Sequence, residues 1–329
     1  MLRQCFKRVV IMLSLVAPAL SVSAQYEATE KAQHHYPHDI PPGNYSGIVR
    51  IGEDRYAVVN DKSEGDGFFV FRIEIDSVNG EIRSARNSGF YSSGLSNRDE
   101  EDIAYDSLRN KFFISGEADN QILEYRFDAT PTGRQVTLPD CYKHLPSNLG
   151  LESLTFDPAH RLLWTCNESD SIHLYAFNDH LQPVLHLLYR LDSPVADASV
   201  ARNYVHGVSA ITALDDGSLL LLEREFYVPK SKIGSWVECK LYQIEPFKDS
   251  AAIVIDTLPK RLPKTLLLRW KTNLSLLGRS LANYEGMCLG PRLTDGSRVL
   301  VLIADSQNQY AGVLRDWFKT IVLKRKYLK

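Results

Sequence analysis

A short phrase recurs five times along the chain, and its two polar ends are where chemistry could reside. It reads as a polar residue, a small or polar residue and an aliphatic, then a few strand-forming residues, a turn, and an apolar strand closing on an acid. The copies open at Ser46, Glu101, Glu152, Ser209 and Glu285, and they close at Asp61, Glu117, Glu168, Glu223 and Asp305. Eight of these ten residues are carboxylic acids, against 40 acids in 329 residues overall, so the phrase concentrates acid at its ends. Carboxylates gathered at low dielectric repel one another and must take up protons, pair with cations or bind a metal. Hard oxygen donors without a His or Cys cluster favour calcium, and magnesium less so, over zinc or copper. Asp61, Glu101, Glu117, Glu152, Glu168, Glu285 and Asp305 are therefore candidate calcium ligands, and Lys62, Arg98, His206 and Arg224 adjoin them as groups able to offset charge or meet an anion. In the alternative reading, the acids only bind backbone amides and Arg side chains and so lock neighbouring units together.

Residues so far apart in sequence need a repeating architecture to bring them together. Within each phrase the two strands are joined by turn chemistry, at Gly52-Glu53-Asp54, Asp106-Ser107, Asp157-Pro158, Asp215-Asp216-Gly217 and Asp295-Gly296. A third alternating strand follows in the first four copies, beginning at Phe68, Ile122, Ile172 and Lys240, and a less regular fourth strand leads on. The period of roughly 50–75 residues describes the blades of a β-propeller. The fold expected is thus all-β, with five four-stranded antiparallel blades. A sixth blade stays open, because the widest interval includes the long stretch from Phe247 to Asn283. After Trp317 the last copy has a third strand but no fourth, so residues 25–45 are candidates to close the ring, with residues 46–329 forming a single propeller domain. In an antiparallel meander, the start of the first strand and the end of the second lie at one edge. The acids would then converge on one mouth of the central channel.

Composition narrows the partners. Lys plus Arg number 38 against 40 acids, for a net charge of −2, which leaves no broad cationic surface for a nucleic acid. Arg3, Lys7 and Arg8 precede the apolar run Val9–Leu20, and Ser21-Val22-Ser23-Ala24 follows it, the pattern of a cleaved signal peptide over residues 1–24. No later segment is long and apolar enough to span a bilayer, so an extracytoplasmic protein, periplasmic or secreted, is expected. Removing Cys5 with the leader leaves Cys141, Cys166, Cys239 and Cys288, an even number compatible with two disulfides but read by default as small buried apolar residues. His34-His35 and His38 are taken as part of a solvated leader.

At these same phrases the chain resembles the phytase-like esterase family of extracytoplasmic propellers, named for its similarity to calcium-dependent phytases. Asp99-Glu100-Glu101-Asp102-Ile103-Ala104 is similar to the family's DPEGIA, and Asn148-Leu149-Gly150-Leu151-Glu152-Ser153-Leu154 to its N-x-G-F-E-G-L. Leu220-Leu221-Leu222-Glu223-Arg224 resembles L-L-x-L-E-R, and the run Tyr284–Asn308 resembles a segment reading EGLALGP-x-L-x-DG and ending in DNN. Asp102 and Ser153 stand where the family prefers Gly, and Ser306-Gln307 follows Asp305 in place of Asn. The resemblance implies a propeller with an acidic channel, and hydrolysis of phosphoric or other esters.

The expectation is a calcium-dependent ester hydrolase. Its catalytic candidates are Glu152, Glu223 and Arg224, and Lys62, His206 and Arg224 would meet a small anionic ester. The alternative is a non-catalytic propeller that presents its mouth to a glycan, peptide or protein, with a structural metal. A serine-hydrolase elbow is missing, since Ser46 lies in Asn44-Tyr45-Ser46-Gly47-Ile48 and Ser209 in His206-Gly207-Val208-Ser209-Ala210. His206-Gly207 follows Val205 rather than Arg, which removes a histidine-acid phosphatase.

Overall fold

The computed structural model describes residues 25–143, 150–168, 171–247, 260–261, 263–274 and 279–326, and residues 1–24, expected from the sequence to be a leader, lie outside them. The turn chemistry acts residue by residue. In the turn after Leu214, the Asp216 carboxylate accepts the Ser218 amide at 3.1 Å and Gly217 takes φ 79°. After Leu293, Asp295 accepts the Ser297 amide at 2.9 Å with Gly296 at φ 84°. A carboxylate oxygen that bonds an amide two residues on, followed by a left-handed glycine, reverses the chain within a few residues. Asp106 and Asp157 begin two further reversals by accepting the Leu108 amide at 3.0 Å and the Ala159 amide at 2.9 Å.

Five antiparallel blades result. Blade 1 comprises Tyr45–Arg50, Arg55–Asn60, Gly67–Ile75 and Ile82–Ser92, and blade 2 comprises Glu100–Asp106, Lys111–Gly116, Gln121–Arg126 and Pro131–Gln135. Blade 3 comprises Leu151–Asp157, Leu162–Asn167, Ile172–Phe177 and Pro183–Tyr189, with the short Lys260–Arg261 added in parallel at its outer edge. Blade 4 comprises Asn203–Ala213, Leu219–Val228, Trp236–Ile244 and Lys264–Asn273. Blade 5 comprises Asn283–Arg292, Arg298–Asp305 and Trp317–Lys326, and its fourth strand, Gln25–Glu30, comes from the other end of the chain, paired from Gln25 opposite Lys326 to Glu30 opposite Ile321. His34–His35 pair with Phe318 and Trp317 and are half-buried, so these histidines are part of the ring closure rather than of a solvated leader. The long interval before the fifth copy holds no sixth blade among the described residues; it carries the connection to the outer strand of blade 4.

The first strands contact one another in order around the channel, while apolar faces fill the wedges between blades. Between blades 4 and 5, Leu220, Leu222, Val237, Leu241, Leu300, Leu302 and Ile321 are fully buried in one cluster. Each such side chain contributes ~1.5–3 kcal/mol by leaving water. Polar staples join blades as well: the Ser46 hydroxyl donates to the Glu100 carbonyl at 2.6 Å, and that of Thr212 to the Met287 carbonyl at 2.7 Å. The four cysteines among the described residues are unpaired; Cys166, Cys239 and Cys288 are buried and Cys141 is exposed. Among the described residues no helix is long and apolar enough to cross a membrane.

Candidate functional site

The first strand of every blade carries a β-bulge, near its start except in blade 4, where the strand begins earlier. In blade 1 Tyr45 pairs with Asn60 and Gly47 with Val59, which leaves Ser46 as the extra residue. Glu152 is extra between Leu151 and Ser153, Ser209 between Val208 and Ala210, and Glu285 between Tyr284 and Gly286. In blade 2 the irregularity falls between Glu100 and Ile103, at Glu101 and Asp102. An extra residue breaks the alternation of faces and re-aims its side chain. The positions that open the recurring phrase are therefore the ones that the backbone turns out of the sheet.

The registers also decide which second-strand residue joins them. Asn60, Gly116, Asn167, Glu223 and Ala304 occupy equivalent positions opposite the residue before the bulge. The next residue faces the mouth, and it is Asp61, Glu117, Glu168, Arg224 and Asp305 in blades 1 to 5. Arg224, not Glu223, is the contribution of blade 4. Glu223 points the other way, where it accepts from the Tyr189 hydroxyl at 2.6 Å and pairs with Lys264. His206 goes with it: its charged neighbours are Glu225, Glu223, Lys240 and Asp192, and burial holds its imidazole below the usual range. Arg98 also turns away, bound to Asp119 at 2.7 Å and to the Tyr125 hydroxyl at 3.0 Å.

The remaining candidates form a continuous electrostatic group, with one acid that the sequence reading missed. Oxygens of Asp61, Asp99 and Glu101 lie within 4.8 Å of one another. Asp99 belongs to an acidic run that reads as an exposed loop, and it reaches the cluster from a left-handed backbone at φ 59°. The Lys62 ammonium stands 3.3 Å from Asp61 and also contacts Asp99. Across the mouth, buried Arg224 holds Glu168 at 2.6 Å, Asn283 at 2.9 Å and Glu285 by a short contact. Glu117 accepts the Gly150 amide at 3.4 Å, beside Glu168 and Asp99.

Glu101, Glu152 and Glu285 lie deep in the mouth yet keep part of their surface open to water. Burial drives the Glu101 carboxyl well above its ordinary range, and Glu285, Asp61, Glu117 and Asp99 add to the rise. Glu152 is raised well above its range by burial, then by Glu168 and Glu101, against the pull of Arg224. Asp305 rises through burial and Glu285. Among the described residues eight carboxyl groups thus face two cations, Lys62 and Arg224, and Asp61 Oδ1 is buried without a hydrogen-bond partner. Below this ring Asp102 fills the place of the family's glycine. Its Oδ2 accepts the Leu154 amide of blade 3 at 2.6 Å, and a Cβ on Gly47 would come within 2.4 Å of its Oδ1.

A cavity also lies away from the acids. A void of about 460 Å³ opens at the far mouth, where the first strands end, and all five blades line it, through Arg50, Tyr105, Thr155, Thr212, Met287 and Arg298 among others.

Among curated proteins none matches the sequence. Some solved structures are similar at low identity. A streptogramin B lyase structure has 10% identity over 91% of this chain and 98% of that one, with a TM-score of 0.40. A catalytically inactive virginiamycin B lyase from Staphylococcus aureus with quinupristin has 12% identity over 91% and 100%, with a TM-score of 0.39. A nidogen/laminin complex has 12% identity over 82% and 79%, with a TM-score of 0.36. A sequence-family match is far more specific: the family described as esterase-like activity of phytase matches residues 40–307, which take in every bulge and every acid of the ring. With five blades observed and that match spanning most of the sequence, the chain belongs to the phytase-like family.

Proposed function

We propose that the acidic mouth binds a divalent cation, calcium by the character of its donors, and hydrolyses phosphoric or other esters outside the cytoplasm. The observation that carries this reading is the charge imbalance: eight carboxyl groups against Lys62 and Arg224, with one buried Asp61 oxygen unpartnered. An all-oxygen set of this kind fits calcium. Asp61, Asp99 and Glu101 would hold the ion, with Glu285, Asp305, Glu117 and Glu168 in the same field and Glu152 beside them. A bound calcium supplies Lewis-acid polarisation of an ester oxygen and eases deprotonation of water.

The chain's own residues divide the remaining work. Glu152, whose carboxyl holds its proton well above the ordinary range, is suited to pass a proton to or from the reacting oxygen. Arg224 fixes Glu168 and Glu285 and so sets the spacing of the ring. Lys62, with 59% of its side chain exposed, is the cation within reach of an anionic group arriving from solvent. The leader over residues 1–24 would direct export, and cleavage before Gln25 would leave the strand that closes blade 5 intact.

A second reading, a ligand-binding propeller with a structural metal, is favoured by one observation: both cations of the mouth are already paired with carboxylates. Turnover separates the two. The hydrolase hydrolyses p-nitrophenyl phosphate or p-nitrophenyl acetate in calcium, and loses that activity with chelator and in Glu152→Gln while circular dichroism stays unchanged. Stabilisation by calcium with no turnover of either ester supports the binding module.

A further inference from the structure

The far mouth of the channel has the opposite electrostatic character. Arg50 ends the first strand of blade 1 and Arg298 begins the second strand of blade 5, and both line the cavity of about 460 Å³. Arg50 donates to the Glu53 carbonyl at 2.9 Å and has no carboxylate partner among the described residues. Arg298 shares Asp215 with Arg292, so two guanidinium groups meet one carboxylate there. Arg50 Nε and Arg298 Nε are both buried without a hydrogen-bond partner. Tyr56, paired with Arg50 across blade 1, is fully buried, and its hydroxyl also has no partner. That hydroxyl lies in the field of both Arg50 and Arg298. Burial holds the Arg298 guanidinium below its usual range, and Arg292 and Arg50 add to the effect against Asp215.

Buried donors left unmade are costly, each by ~1–3 kcal/mol, and of the residues that carry them here Arg50 and Arg298 line the cavity while Tyr56 lies in the core behind it. Two guanidinium groups on one cavity match the oxygens of a planar or tetrahedral oxyanion. The adjoining volume exceeds what an inorganic ion needs and falls within the range of small-molecule pockets. Its lining, which includes Thr155, Thr212 and Met287 with the two arginines, suits a ligand with a mixed polar and apolar body.

We infer that the far mouth is a second ligand site, where Arg50 and Arg298 bind the carboxylate or phosphate group of a small organic anion whose body occupies the cavity. The site is independent of the acid ring and of any hydrolysis there.

Calorimetric titration of the folded protein with benzoate and, separately, with phenylphosphonate tests this. The first offers a carboxylate and the second a phosphate-like head, and neither has an ester bond to be cleaved at the acidic mouth. Saturable binding of at least one probe is expected, and the tighter probe identifies the head group. Arg50→Gln and Arg298→Gln should each weaken that binding by about tenfold or more. Glu152→Gln should leave both affinities unchanged. No saturable heat with either probe at ten-millimolar concentration, or affinities unmoved in both arginine variants, would overturn the inference.

Discussion

The two mouths of one channel are built from the same five strands and carry opposite charge problems. At the bulged end the backbone turns carboxylates inward and leaves them short of cations; at the turn end the cavity is lined by two guanidinium groups, Arg50 and Arg298, and one carboxylate, Asp215. The wedges between blades are filled mainly by apolar side chains, and the polar groups there, such as Ser46, Thr212 and Asp102, have their hydrogen bonds made. The contrast therefore teaches that the rims, where polar groups outnumber their partners, are where ligands are to be sought, and that each rim selects a ligand of its own sign.

The largest expected effect comes from removing the cation that holds half of the ring. Arg224→Ala leaves Glu168 and Glu285 buried and unpaired, and should cost about 3–5 kcal/mol in urea unfolding, with part regained in calcium. An equal loss with and without calcium would separate Arg224 from the ring.

The pH dependence sharpens the same contrast. Glu101, Glu152 and Asp305 titrate above their ordinary ranges, and buried Glu100 behind them is pushed up to about 8 by burial and by Asp66. Groups with raised folded values bind more protons in the native state, so their contribution is complete below the ordinary carboxyl range and is lost as pH rises towards 8. The calcium-free protein should melt at a lower temperature at pH 8 than at pH 5, and added calcium should narrow the gap. A melting temperature that rises over that interval would contradict the proposed strain among the acids.

A smaller effect tests the register. Glu223→Gln should destabilise by ~1–3 kcal/mol, because Lys264 and the Tyr189 hydroxyl lose their charged partner, yet leave calcium affinity unchanged. A change in calcium affinity would return Glu223 to the ring. The smallest belongs to Lys62→Ala. Its exposed ion pairs are worth under ~1 kcal/mol in stability, but the loss of a competing ammonium beside Asp61 and Asp99 should tighten calcium binding.

Much of this was legible in the sequence because reversal chemistry repeats with the strands: Asp216-Gly217 and Asp295-Gly296 mark equivalent turns, and the apolar runs between them supply the blades. What the sequence hid was a count. A bulge adds one residue to one strand only, and one residue of slip exchanges the two faces. Aligning the copies on their terminal acids therefore put Glu223 at the mouth, where the ladder puts Arg224. Asp99 was hidden by its left-handed backbone, which nothing in an acidic run announces. The far mouth was invisible for a different reason: Arg50 and Arg298 lie in the first and last blades, and only closure of the ring brings them to one rim.

The central claim is that the bulged ends of five strands make one cation site. Calorimetric titration of calcium into the folded protein, repeated with Glu101→Gln, tests it most directly. The account predicts saturable binding at calcium concentrations on the order of millimolar or below, weakened about tenfold or more when Glu101 loses its charge. No heat at millimolar calcium, or an affinity that Glu101→Gln leaves untouched, would contradict it.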